Sequence, residues 1–296
     1  MRRIAVLGMG AMGSRMARRL LAAGHAVTIF NRGVEAAKEL VQAGALSAAT
    51  PAMAAADADV VISMVTDARA SKAVWLDPVD GALHALRKGS VAIESSTLFP
   101  SWVRELGQMV HAKGAQFLDA PVVGSRPQAQ AGELIFLVGG SQGCLTHVRP
   151  ILEVLGSRIS HVGEVGDATV MKLAANALFG MQVVTLAEIL SFIEAEGLDS
   201  CTAIGALTDL PVISPVAKNI MAQMLSRNYL PMFPVELALK DFKYLQAAAS
   251  EAGAPALPVL QAGTDVFDHA VQKGHGQENI SAVAQLYKLP LSVEAS

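Results

Sequence analysis

The chain has 296 residues, 52% of them hydrophobic and 17% charged, with a formal net charge of −3. That is enough chain and enough apolar content for two domains with buried cores. The mildly acidic balance and the scattered lysines and arginines argue against nucleic acid as a partner.

The first element is read from "IAVLGMGAMGSRMARRLLAAGHAVTIFNR". An apolar run, Ile4 to Leu7, stops at Gly8-Met9-Gly10. Gly13 follows, and then Met16, Leu20 and Leu21 fall at helical spacing. This predicts strand, tight turn, helix and, from "AVTIF", a second strand. In such a unit the first glycine permits the turn, the second lets a pyrophosphate approach the backbone, and the third lets helix and strand pack closely. The loop Gly8, Met9, Gly10, Ala11, Met12 and Gly13 is therefore the expected dinucleotide cradle, with phosphate on the positive end of the helix. An NAD site usually places Asp or Glu about 20 residues after the glycines. Here the second strand ends in Asn31-Arg32, and a guanidinium fork suits a 2′-phosphate. The pattern predicts NADP(H) in preference to NAD(H). Residues 1–7 run straight into the motif, so no signal peptide is expected.

Up to residue 163, strand-like runs ("DVVISMV", "SVAIESS", "AQFLDAPV", "ELIFLVGG", "RISHVG") alternate with helical patterns. The alternation predicts an α/β, Rossmann-like domain over 1–163, with a mostly parallel sheet covered by helices on both faces. Past Gly166 the rhythm changes. "DATVMKLAANALFGMQVVTLAEILSFIEAEGL" has no proline and one internal glycine, Gly180, and predicts a helix of about eight turns joining the two domains. Residues 216–225, 235–252 and 257–273 also read as helices, so 164–296 is expected to be an all-helical domain. The uncharged run 173–187 is short for a membrane span and reads as a buried helix. Burial against a partner subunit would make the protein a homodimer or homotetramer, and no membrane association is expected. Cys144 and Cys201 form no CxxC pair, which fits free thiols in a reducing cytoplasm. The seven histidines show no metal-ligand spacing such as HExxH, so no metal is expected.

A dinucleotide domain supplies no proton, which turns attention to Lys172 in "VMKLAANALFG". Burial of a lysine lowers its pKa and suits it to proton transfer near neutral pH; Asn176 follows one helical turn later. Spacing alone equally allows a lysine whose head snorkels to water.

Four ordered segments, "GMGAMGSRMARRLLAAGHAVTIFNR", "DAPVVGSRPQAQAGELIFLVGG", "GEVGDATVMKLAANAL" and "LALKDFKYLQAA", resemble the β-hydroxyacid dehydrogenase family over almost the whole chain. "PVVGSRPQAQAGELIFL" and "MFPVELALKD" are most similar to its glyoxylate/succinic semialdehyde reductase branch. The resemblance implies an oxidoreductase acting on a small carbonyl or hydroxyacid substrate in an interdomain cleft. It makes Lys172 the general acid and Asn176 a substrate-orienting residue. Lys240 and Asp241 match a pair closing over the nicotinamide side, with Lys240 on the cofactor and Asp241 toward the substrate. Thr97, Val65 and Thr66 match cofactor-contacting positions; Gly124, Ser125 and Phe233 fall at the substrate. On general grounds Thr97 also reads as a residue leading into a helix, Lys240-Asp241 as an exposed ion pair and Phe233 as core. One departure stands out: the family pattern has serine before Gly124, whose hydroxyl helps hold a substrate carboxylate, and this chain has Val123. An oxidative 3-hydroxyacid dehydrogenase, an imine reductase and a non-catalytic cofactor-binding scaffold are the alternatives; Lys172 counts against the last two.

Overall fold

A computed structural model describes residues 1–33 and 35–287. The chain divides into two compact units, Met1–Lys172 and Leu173–Ser296, the division falling inside one long helix. The first unit contains β1 (Arg3–Leu7), α1 (Gly13–Ala22), β2 (Ala26–Phe30), α2 (Glu35–Gln42), β3 (Leu46–Ser47), α3 (Pro51–Ala55), β4 (Val60–Ser63), α4 (Ala68–Leu76), α5 (Ala82–Ala85), β5 (Val91–Glu94), α6 (Pro100–Ala112), β6 (Gln116–Asp119), β7 (Val122–Val123), α7 (Arg126–Ala131), β8 (Leu134–Gly139), α8 (Gln142–Leu155) and β9 (Gly156–Gly163). The long helix α9 (Asp167–Ala195) then begins.

Among the described residues, nine strands form one sheet in the order β3-β2-β1-β4-β5-β6-β8-β7, with β9 paired to β8. Pairings from β3 to β6 are parallel, whereas β8 is antiparallel to β6 and β7. Alternate residues of β1 serve opposite faces. Ile4 and Val6 pack with Met16, Ala17 and Leu20 of α1, and Ala5 and Leu7 pack with Trp75, Trp102 and Leu106. Helices covering both faces explain why the parallel strands read as unbroken apolar runs. The chain leaves β1 toward β2 and β3 on one side and toward β4, β5 and β6 on the other. The order therefore reverses between β1 and β4, and in open α/β sheets ligands bind beyond the strand ends at such a point.

The second unit, described to residue 287, holds most of α9 with α10 (Ser200–Thr208), α11 (Pro215–Leu225), α12 (Val235–Glu251), α13 (Pro258–Gln272) and a final 3-10 helix, Ile280–Leu286. By length and composition α9 would suffice to cross a membrane; here its Val183, Val184, Ala187 and Leu190 are core residues of the unit. Gly180, the one glycine in the helix, is a packing site. A Cβ there would stand 2.5 Å from the Phe242 ring, which meets Phe267 edge-on at 5.0 Å.

Candidate active site

The glycine loop lies at the point where the strand order reverses. Gly8 has φ +100° and a Cβ on it would lie 2.4 Å from the Met64 carbonyl oxygen; a Cβ on Gly13 would lie 2.0 Å from the Gly8 carbonyl oxygen. The chain's own packing thus requires both glycines. Gly10 is different, because nothing stands within 4 Å of the place its Cβ would occupy. Open space beside a glycine that its neighbours do not require, just before the N-terminus of the ten-residue α1, fits the close approach of a pyrophosphate.

Asn31 and Arg32 follow β2. The Asn31 Oδ1 accepts from the Met9 N–H at 3.0 Å, and its Nδ2 donates to the Gly33 carbonyl at 2.8 Å. Asn31 therefore clamps the glycine loop to the end of β2, while Arg32 is exposed.

On the other side of the loop, after β4, the Val65 N–H donates to Ser96 Oγ at 2.8 Å; Thr66 is exposed and Thr97 half-buried. Ser96 is held in turn by Glu94, the last residue of β5, whose Oε1 accepts from the Ser96 N–H at 3.0 Å. The Glu94 Oε2 accepts from Ser71 Oγ and Trp75 Nε1, both at 2.9 Å, and Trp102 Nε1 donates to Ser71 Oγ at 3.0 Å. Glu94 is fully buried, and burial pushes its carboxyl above the usual carboxylate range against the pull of these donors.

Asp119 ends the next strand, in register with Glu94. Its Oδ2 accepts from the Gly166 and Thr169 N–H groups, both at 2.9 Å, and its Oδ1 accepts from Thr169 Oγ at 2.7 Å. Burial, the largest influence, pushes its carboxyl up to about 6. Sequence reasoning assigned no role to Glu94 or Asp119. The available signal was an acidic residue closing an otherwise apolar strand in "VAIESS" and "QFLDAPV".

Farther along α9, Lys172 is only 9% exposed. In the second unit, Asn176 Nδ2 donates to Asp241 Oδ2 at 2.6 Å. The Lys240 ammonium stands 3.1 Å from Asp241 Oδ1 and 4.9 Å from the centre of the Tyr244 ring. With side chains 17% and 3% exposed, Lys240 and Asp241 are not the solvated pair that spacing alone allowed. Phe233 stacks on Phe179 with centroids 6.3 Å apart and packs against the helical core. Val123 is half-buried and pairs with Ile135 across β7 and β8. After Gly124, the Ser125 N–H is taken by Gln128 Oε1 at 2.9 Å, in the cap of α7. A separate groove of about 360 Å³ between α9 and α13, lined by Met181, Val184, Glu188 and Val259 among others, contains none of these residues.

Residues 3–163 match the family described as the NAD binding domain of 6-phosphogluconate dehydrogenase, and residues 166–287 that described as NAD-binding of NADP-dependent 3-hydroxyisobutyrate dehydrogenase. The chain is 33% identical over 297 residues to an NAD-dependent L-serine dehydrogenase of Pseudomonas aeruginosa, covering 97% of this chain and 98% of that protein. It is 31% identical over 285 residues to glyoxylate/succinic semialdehyde reductase 1 of Arabidopsis thaliana, covering 96% and 98%. A solved 3-hydroxyisobutyrate dehydrogenase of Mycobacterium tuberculosis, with L-serine, superposes with a TM-score of 0.86 at 29% identity, covering 97% of this chain and 99% of the other. Two matched segments that together span the strand–turn–helix cradle, Lys172 and the helical unit lead to one assignment: the chain belongs to the β-hydroxyacid dehydrogenase family, NAD(P)-dependent oxidoreductases acting on CH–OH and C=O groups.

Proposed function

We propose that the protein is an NADP(H)-preferring reductase of small carbonyl compounds, aldehydes or 2-oxo acids of the glyoxylate or succinic semialdehyde kind, with Lys172 as the general acid. The observation that carries this reading is the buried Lys172, followed one helical turn later by an asparagine whose amide is fixed by a buried aspartate. A bound dinucleotide supplies the hydride to the carbonyl carbon. The Lys172 ammonium donates a hydrogen bond to the carbonyl oxygen, polarises it and gives up its proton as the alcohol forms. Asp241 accepts one Asn176 N–H and so fixes the direction in which that amide meets a substrate oxygen. Arg32 supports the choice of nucleotide: it is exposed after β2, and no carboxylate among residues 31–33 would repel a 2′-phosphate.

Val123 bears on the substrate. An isopropyl group replaces the family's hydroxyl, and the Ser125 N–H is already taken by Gln128, so the pocket makes a weaker demand for a carboxylate. Larger or less charged aldehydes are the favoured substrates. A second reading, oxidation of a 3-hydroxyacid, is supported by the relative named as an L-serine dehydrogenase and would run the same lysine in reverse, as a base. Exposed Leu178, Ile189 and Phe192 on α9 support assembly into a homodimer or homotetramer. The test is NADPH consumption over a panel of aldehydes, 2-oxo acids and cyclic imines, beside NAD(P)+ reduction with L-serine and 3-hydroxyisobutyrate. Fastest turnover with a carbonyl and NADPH is expected. Fastest turnover with a hydroxyacid and NAD+ would replace this reading with the second.

A further inference from the structure

We propose that Asp119 is a positioning residue for this reaction: through the first turn of α9 it sets where Lys172 stands relative to the sheet. The inference rests on the reading of Lys172 as the proton donor. A helix N-terminus leaves backbone N–H groups without intrahelical partners, and a side chain just before the helix usually takes them. In α9 the local acid is turned elsewhere, since Asp167 Oδ2 accepts from the Glu164 N–H at 2.9 Å. The Gly166 and Thr169 N–H groups go instead to Asp119, 47 and 50 residues earlier at the end of β6. A local cap fixes a helix only to its own turn; this one fixes it to the sheet.

The contact is made by both carboxylate oxygens on three donors, two backbone N–H groups and the Thr169 hydroxyl. Three bonds to one rigid side chain restrain the rotation of the helix as well as its position along its axis. Lys172 lies three residues beyond Thr169, on the same helix face, so its stem inherits that restraint. Glu94, in register on the neighbouring strand, holds Ser96 and through it Val65. Two adjacent strand ends therefore fix the loop expected at the cofactor and the turn that leads to the lysine. Asp119 is fully buried, and burial opposes its ionised form.

The test compares Asp119→Ala, Asp119→Asn, Thr169→Val and Lys172→Ala for kcat and for NADPH affinity by fluorescence, with circular dichroism to follow folding. Asp119→Ala is expected to lower kcat by about 10- to 100-fold, the scale of a small misplacement of a reacting group, with NADPH affinity retained. Asparagine can accept from both N–H groups with its Oδ1 and donate to Thr169 Oγ with its Nδ2, so Asp119→Asn should restore most of kcat. Thr169→Val, which removes only one bond, should lower kcat less and leave affinity unchanged; it decides the matter if Asp119→Ala does not fold. Wild-type kcat in Asp119→Ala or in Thr169→Val, or loss of kcat and affinity in equal proportion, overturns the inference. An inactive Lys172→Ala beside a fully active Asp119→Ala sinks the positioning role alone, whereas an active Lys172→Ala removes the lysine reading and this inference with it.

Discussion

The Thr169 hydroxyl donates to Asp119 Oδ1 at 2.7 Å across 50 residues of chain, joining the end of β6 to the first turn of α9. The carboxylate so engaged has no exposure to solvent, and that combination carries a pH signature.

Burial raises the Asp119 carboxyl from 3.8 to about 6. The folded state then holds its proton more tightly than the unfolded state, so the favourable contribution is complete below pH 3.8 and is lost as pH rises through about 6. A shift of this size amounts to about 3 kcal/mol. Asp119→Asn removes the titration, and the wild type should therefore lose about that much stability relative to the variant between pH 4 and pH 7. Urea unfolding of both proteins across this window measures it; a constant difference between them would contradict the assignment.

The loop glycines separate folding from binding. Gly10→Ala places a methyl in open space, so the melting temperature should hold while dinucleotide affinity falls by about 10- to 100-fold through lost charge-assisted hydrogen bonds. Gly13→Ala drives a methyl to 2.0 Å from the Gly8 carbonyl oxygen and should lower stability by about 1–3 kcal/mol. Thermal melts and nucleotide titration check both. Unchanged affinity in Gly10→Ala would move the pyrophosphate away from this loop.

Arg32→Glu should lower NADPH efficiency by about 10- to 100-fold and leave NADH efficiency the same or better, because a carboxylate replaces the guanidinium that would meet a 2′-phosphate. The ratio of kcat/KM for the two nucleotides is the readout. A wild-type enzyme equally efficient with NADH would remove Arg32 from cofactor choice.

Val123→Ser should improve kcat/KM for glyoxylate by about 10- to 100-fold, the value of a hydrogen bond to a charged group, and leave an uncharged aldehyde of similar size unaffected. High glyoxylate efficiency in the parent, unchanged by the substitution, would show that the hydroxyl does not define the substrate.

What the sequence disclosed was local. The β1–loop–α1 unit is legible because its glycines, strand and helix are consecutive, and Met16 and Leu20 fall on the buried face as their spacing predicts. The expected helices over 216–225, 235–252 and 257–273 correspond to α11, α12 and α13, since proline- or glycine-bearing turns separate them. The contacts that orient the site were not legible, because they join distant residues. Asn176 meets Asp241 across 65 positions, and Asp119 meets Gly166 across 47. Nothing in their local spacing announces either pairing. Asn31 was expected at the cofactor, and the structure gives its side chain a further task in bracing the Met9 N–H. The one-turn spacing of Lys172 and Asn176 left a snorkelling lysine equally open, and the resemblance of the surrounding segments singled the pair out; the burial of Lys172 could not be read from "VMKLAANALFG".

The central claim is that Lys172 supplies the proton, and the most direct measurement is the turnover of Lys172→Ala with NADPH and the best carbonyl substrate, beside NADPH affinity in the same preparation. Removing a positioned general acid typically lowers the rate by about 100- to 10,000-fold. A loss of that size with affinity retained is the expected result. A folded Lys172→Ala variant with near-normal kcat would contradict the account.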